Sequence, residues 1–133
     1  MPTVKLVSEE DATGLVKEVY DDIKRTRKVE RVPNIWRALA VNPEQLRFNW
    51  ERVKTLMADG RLDRRTKEII ALAVSITNGC EYCINSHTTA LKRLGLDDAA
   101  LGELVAVVDL FNGMNRVADA YQIEPDVKPP VDA

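Results

Sequence analysis

Both cysteines and the only histidine of this chain fall in one short stretch, Cys80-Glu81-Tyr82-Cys83-Ile84-Asn85-Ser86-His87. Such a set could do three things. Two thiols three residues apart on a helical turn fall within the Cα separation of about 4.4–6.8 Å that a disulfide tolerates, so one sulfur can attack and the other resolve. The run Cys-x2-Cys-x3-His also supplies three metal ligands, with Glu68 as a possible fourth. Against metal, structural zinc sites draw ligand pairs from separated segments, and three ligands on one helical arc would crowd a tetrahedron. Finally, both thiols could be inert, since free cysteine is among the most buried residue types. The reading adopted is thiol chemistry with no metal and no bound cofactor.

Helical geometry organises the stretch. With Cys80 at 0°, a step of about 100° puts Cys83 near about −60° and His87 near about −20°. Ile84, Ala90, Leu91 and Leu94 share this side, whereas Glu81, Asn85, Thr88 and Lys92 lie on the wet one. The site is thus expected to face inward near a helix start, where unpaired amides stabilise negative charge. A thiol pKa near about 8.5 can fall to roughly 3.5–7.5 in such a place. Residues four apart on a helix have Cβ atoms about 5–6 Å apart, which brings His87 within reach of Cys83 as a base. If the preceding helix turns back at Asn78-Gly79, Glu68 and His87 each lie about nine residues, roughly 14 Å, from the bend. Ala71 and Ser75 share the face of Glu68 and would allow close approach. Alone, Glu68 beside Arg64 and Lys67 could equally be a solvent-facing charge. Together the four residues form a Glu–His–Cys chain with a second Cys beside it.

The elements that must hold this chain are helical almost throughout, with no alternating strand pattern. Ser8 with Asp11 reads as a capping box for a first helix carrying Leu15, Val19 and Ile23 to about Lys28. Val32-Pro33-Asn34 breaks it, and a short helix holds Ile35, Trp36, Leu39 and Ala40. Asn42-Pro43-Glu44-Gln45 restarts a third helix with Leu46, Trp50, Val53 and Met57 buried, closed by Gly60. Asp63 caps a fourth, whose wide apolar face of Ile69, Ile70, Ala73, Val74 and Ile76 points to central burial. Asn78 with Glu81 reads as the capping box of the fifth, which ends at Gly95. Asp97 starts a sixth, with Asn112-Gly113 a possible division into two. The expectation is an all-α, single-domain bundle of six to seven helices over residues 1–124. A proline-rich tail would follow over 125–133.

Composition narrows the function. The charge is −2, with 30% charged and 45% hydrophobic residues, and the two signs are interspersed. There is no basic stripe for nucleic acid, no apolar run of about 20 residues for a membrane span, and no signal-peptide pattern. The expected compartment is the cytoplasm, where a close cysteine pair is more often catalytic than a permanent staple.

Glu68, followed at Cys80 by Cys-x2-Cys-x3-His, resembles the alkylhydroperoxidase AhpD-like core of the carboxymuconolactone decarboxylase superfamily, in its peroxidase-related branch. The resemblance is strongest from Leu62 to Leu96, and "VPNIWRALAVNPEQL" and "FNGMNRVADA" extend it over most of the chain. It implies an all-helical fold, trimeric or hexameric homo-oligomers, and reduction of a hydroperoxide with a dithiol or protein electron donor. By that resemblance Cys83 is the peroxide-attacking thiol, Cys80 the resolving thiol, and Glu68 with His87 the proton relay. Tyr82 stands where the best-known peroxidase of the family has a second histidine; its helical phase points away from the thiols. A non-catalytic redox sensor or disulfide-exchange partner is the alternative reading, and a lactone decarboxylase, a branch without the cysteine pair, is the third.

Overall fold

The computed structural model describes residues 1–130, which form six α-helices and no strand. They are α1 (Gly14–Arg27), α2 (Asn34–Leu39), α3 (Pro43–Leu56), α4 (Arg64–Asn78), α5 (Glu81–Arg93) and α6 (Asp98–Ala120). Residues 123–130 follow without helix, and positions 131–133 of the expected tail lie outside the described residues. The chain divides into two compact units, one of Met1–Ala58 and one beginning at Asp59.

In the first unit α1 buries Val16, Val19, Tyr20 and Ile23 at the i, i+3, i+4, i+7 spacing of an amphipathic helix. Ser8 does not cap it. The Ser8 hydroxyl accepts from the Asp11 amide in a separate turn, and the N-cap of α1 is Thr13, whose side chain makes no capping bond. Asn42 caps α3 as expected, accepting from the Gln45 amide with Pro43 in the first turn. The helix ends at Leu56, and Met57 rather than Gly60 closes it. Leu46 and Trp50 are buried, while Val53 and Met57 are only half-buried. The indole of Trp50 meets Trp36 edge to face at 5.3 Å and donates to Asp22 at 2.7 Å. Lys54 donates to the same Asp22 oxygen.

The second unit holds the cysteine stretch. Asp63 caps α4 by accepting from the Thr66 amide. The face α4 buries is Glu68, Leu72 and Ser75, whereas Ile70 and Val74, expected in the centre, are about half exposed. A helix apolar on most of its circumference can bury only the side its neighbours cover. Leu72, Leu91 and Leu96 form the core between α4, α5 and the start of α6, with Ile69, Ile76, Ile84, Leu101 and Leu104 against it. After α5, Gly95 at φ +94° carries a Schellman turn, in which the Leu96 amide reaches Leu91 O and the Gly95 amide Lys92 O. Asp97 then caps α6 through the Ala100 amide. Asn112-Gly113 does not divide α6, and Thr77 of α4 donates to Asn112 across the helix pair.

Candidate active site

The bend between α4 and α5 consists of two residues with opposite tasks. Gly79 sits at φ +70°, a left-handed conformation in which a Cβ costs about 1–2 kcal/mol. It lets the Cys80 amide donate to Ser75 O and the Gly79 amide to Ile76 O, a second Schellman turn. Cys80 is then also the N-cap of α5: its backbone is extended, and its sulfur accepts from the Cys83 amide at 3.3 Å. The expected Asn78–Glu81 box is absent because Asn78 is still the last residue of α4. Cys80 therefore lies outside the helix whose phase was used to place it.

Both thiols are free and half-buried. The Cys80 thiol is held below its ordinary value, first by the hydrogen bond from the Cys83 thiol and then by that from the Cys83 amide. Cys83 is pushed up to about 11, because it gives its hydrogen to Cys80 and is partly removed from water. Of the two sulfurs, Cys80, at the positive end of α5, is thus the one that gives up its proton more readily.

Glu68 and His87 meet across the hairpin. Glu68 is 4% exposed, and its Oε2 lies 2.7 Å from His87 Nδ1. A carboxylate accepts, so Nδ1 carries the hydrogen, and in the neutral imidazole Nε2 keeps the lone pair. The other carboxylate oxygen lies 3.7 Å from the Arg64 guanidinium, one turn back on α4. Pairing on both oxygens is what lets an acidic side chain be buried here. No direct hydrogen bond joins His87 to either thiol among the described residues. Small Ser75 completes the buried face of α4, its hydroxyl turned back to Ala71 O. Among the described residues no group of three or more His, Cys, Asp or Glu side chains is arranged to hold a metal ion. All four residues singled out in the sequence lie on the α4–α5 hairpin. Arg64, seen in the sequence only as a charge near Glu68, is the neighbour added by the structure.

The fold and this hairpin define a helical thiol protein, and comparison with known proteins gives its family. The model of the Carboxymuconolactone decarboxylase family matches residues 43–123, and the chain belongs to that family. The crystal structure of the alkylhydroperoxidase AhpD core from Rhodospirillum rubrum superposes with a TM-score of 0.89. It is 43% identical, with 95% of each chain covered. An alkyl hydroperoxide reductase of Mycobacterium tuberculosis is 30% identical over 97 residues, 73% of this chain but only 28% of that protein. The alkyl hydroperoxide reductase AhpD of Coxiella burnetii is 23% identical over 118 residues, 86% of this chain and 67% of its own. No helix among the described residues is long and apolar enough to cross a membrane.

Proposed function

We propose that the chain is a thiol-dependent hydroperoxide reductase of the cytoplasm that works as a homo-oligomer, a trimer or hexamer. The observation that carries the reading is the bond between buried Glu68 and half-buried His87 on the same hairpin as two free, unequal thiols. A thiol pushed up to about 11 is almost wholly protonated at neutral pH, so an attacking Cys83 needs a base. His87 is one helical turn away, with Nε2 open and Glu68 stabilising the imidazolium that forms. A water or the substrate's own hydroxyl bridges the remaining gap.

The Cys83 sulfur, its proton passed to His87, attacks the terminal oxygen of the hydroperoxide. An S–O bond forms, the O–O bond breaks, and the alkoxide leaves as alcohol with the proton returned from His87. Cys80 then attacks the sulfenic sulfur; the S–S bond forms, the S–O bond breaks and water leaves. A dithiol donor reduces the disulfide by exchange. One observation favours a second assignment: the more acidic thiol is Cys80, which makes it the better resting nucleophile. In that version Cys80 attacks and Cys83 resolves.

The test is consumption of an organic hydroperoxide with an excess dithiol donor. Many equivalents consumed per chain support the reductase. One equivalent and a halt would replace it by a redox sensor. Trapping the first sulfenic acid in Cys80→Ser and Cys83→Ser chains separates the two assignments.

A further inference from the structure

Arg64 opens α4 one turn before Glu68, with its guanidinium Nη2 3.7 Å from Glu68 Oε1. Helix stability does not account for it. The first turn of α4 contains no acidic residue, and a cation there opposes the positive end of the helix dipole. A cation four residues before its acid is also the less favourable order of such a pair. What the position provides is a half-exposed charge at the outer edge of a buried acid: the Arg64 side chain is 48% exposed, that of Glu68 6%. At 3.7 Å the two are beyond hydrogen-bonding distance, so the guanidinium acts on the carboxylate through its charge. The other charged groups around the pair are engaged elsewhere or wet. Asp59 and Asp63 accept from the Arg64 and Thr66 amides, and Lys67 Nζ lies beside Gly60. On α5 the two thiols bond each other, and Lys92 pairs with Asp98 of α6. Asp97 caps α6, and Glu81, Glu103 and Asp109 are exposed.

That charge bears on whether Glu68 and His87 hold an extra proton. With only the Nδ1 hydrogen between them, the pair is a carboxylate beside a neutral imidazole, and Nε2 is bare. One more proton has two arrangements. In the first, His87 is an imidazolium with hydrogen on both nitrogens. In the second, the Nδ1 hydrogen has crossed to Glu68, and the neutral ring carries its hydrogen on Nε2. Both block Nε2, so neither can take a proton from Cys83. The competent arrangement, by contrast, leaves one uncompensated negative charge on a buried acid, and a cation within about 4–6 Å favours it. We propose that Arg64 is a positioning residue of the relay: its charge favours the pair with Nε2 bare, and so keeps His87 a base at neutral pH. Arg64 acts through Glu68 and takes no part in bond making. The inference rests on the relay of the proposed function and names what sets its proton balance.

His87 is the only histidine of the chain, so nitrogen NMR of the labelled protein reads its ring without ambiguity and without peroxide. In the wild type Nε2 is expected to be mostly bare near neutral pH. Arg64→Gln should raise the half-titration point of the ring by at least about half a unit. Arg64→Lys, which keeps the charge, should restore most of the difference. In a Glu68→Gln chain the same Arg64→Gln change should have a much smaller effect, because the carboxylate that transmits it is gone. Peroxide consumption by Arg64→Gln should fall more near neutral pH than in mild alkali, where the pair gives up the extra proton in any case. Arg64→Met, which keeps the apolar stem, replaces Arg64→Gln should that chain fail to fold. A wild-type Nε2 that carries hydrogen at neutral pH, an unmoved half-titration point, a lysine variant that behaves like the glutamine one, or an equal shift in the Glu68→Gln chain overturns the inference. The ring is read apart from turnover: a shift in a protein that consumes no peroxide would remove the reductase and leave the hold of Arg64 on the pair in place.

Discussion

His87 Nδ1 lies 2.7 Å from Glu68 Oε2, nineteen residues away in sequence and on the neighbouring helix. The pair fixes which ring nitrogen is free and which way the imidazole points.

If Glu68, His87 and Cys83 act as a unit, Glu68→Gln and His87→Ala should each slow peroxide reaction or alkylation near neutral pH. General-base assistance is typically worth about 10²–10⁴-fold. The double mutant should lose much less than the sum of the singles. Unchanged pH profiles in folded mutants would leave the pair a purely structural one.

The two thiols should titrate apart. Removing Cys83 by Cys83→Ser takes away the thiol that donates to Cys80, although the serine hydroxyl can replace it in part; Cys83→Ala removes the donor outright and should raise the Cys80 value towards the ordinary range. Cys80→Ala should bring Cys83 down from about 11, because its hydrogen then has no sulfur to serve. Thiolate absorbance against pH reads both. Movement of either in the opposite direction would refute the sulfur–sulfur hydrogen bond.

Mild peroxide should convert the free pair to an intrachain disulfide, a loss of two hydrogens by mass spectrometry. Two sulfinic acids would show that neither thiol resolves the other.

Asp22 should make stability acid-sensitive. Its carboxyl is held at about 2, first by Lys54, then by the Trp50 indole. A lowered folded-state value means the contribution is full above about pH 4 and is lost as pH falls towards 2. After allowance for solvent it is on the order of 1 kcal/mol. Asp22→Asn should lower Tm by several degrees at pH 6 and make almost no difference at pH 2, with tryptophan fluorescence as the monitor.

Much of this was readable in advance. The helices, the Asn42, Asp63 and Asp97 caps and the Glu68–His87 pairing follow from spacing, because a tight bend makes residues equidistant from it neighbours. What misled is equally physical. A serine or asparagine three residues before an acid looks like a capping box wherever it falls, so Ser8 and Asn78 read as caps where Thr13 and Cys80 hold the position. Cysteine is a rare N-cap, and no side-chain pattern announces that a Schellman glycine will hand the chain directly to it. Apolar periodicity in α4 and α6 says that a face will be covered, without saying by which molecule. That is why Ile70 and Val74 read as core.

Gly79 links these observations to the order in which the chain folds. Glu68, His87, both thiols and the helix ends beside them are contiguous from Asp63 to Leu94, joined through a bend that closes almost no loop. Contacts so near in sequence cost little closure entropy and form early. Substituting Gly79 by alanine, where nothing within 4 Å obstructs a Cβ, burdens only the backbone of that bend. The loss should then appear chiefly as slower folding rather than faster unfolding, the mark of a nucleus. In a chevron plot the refolding arm would fall while the unfolding arm held still, and the hairpin that holds both thiols would be the one that starts the fold.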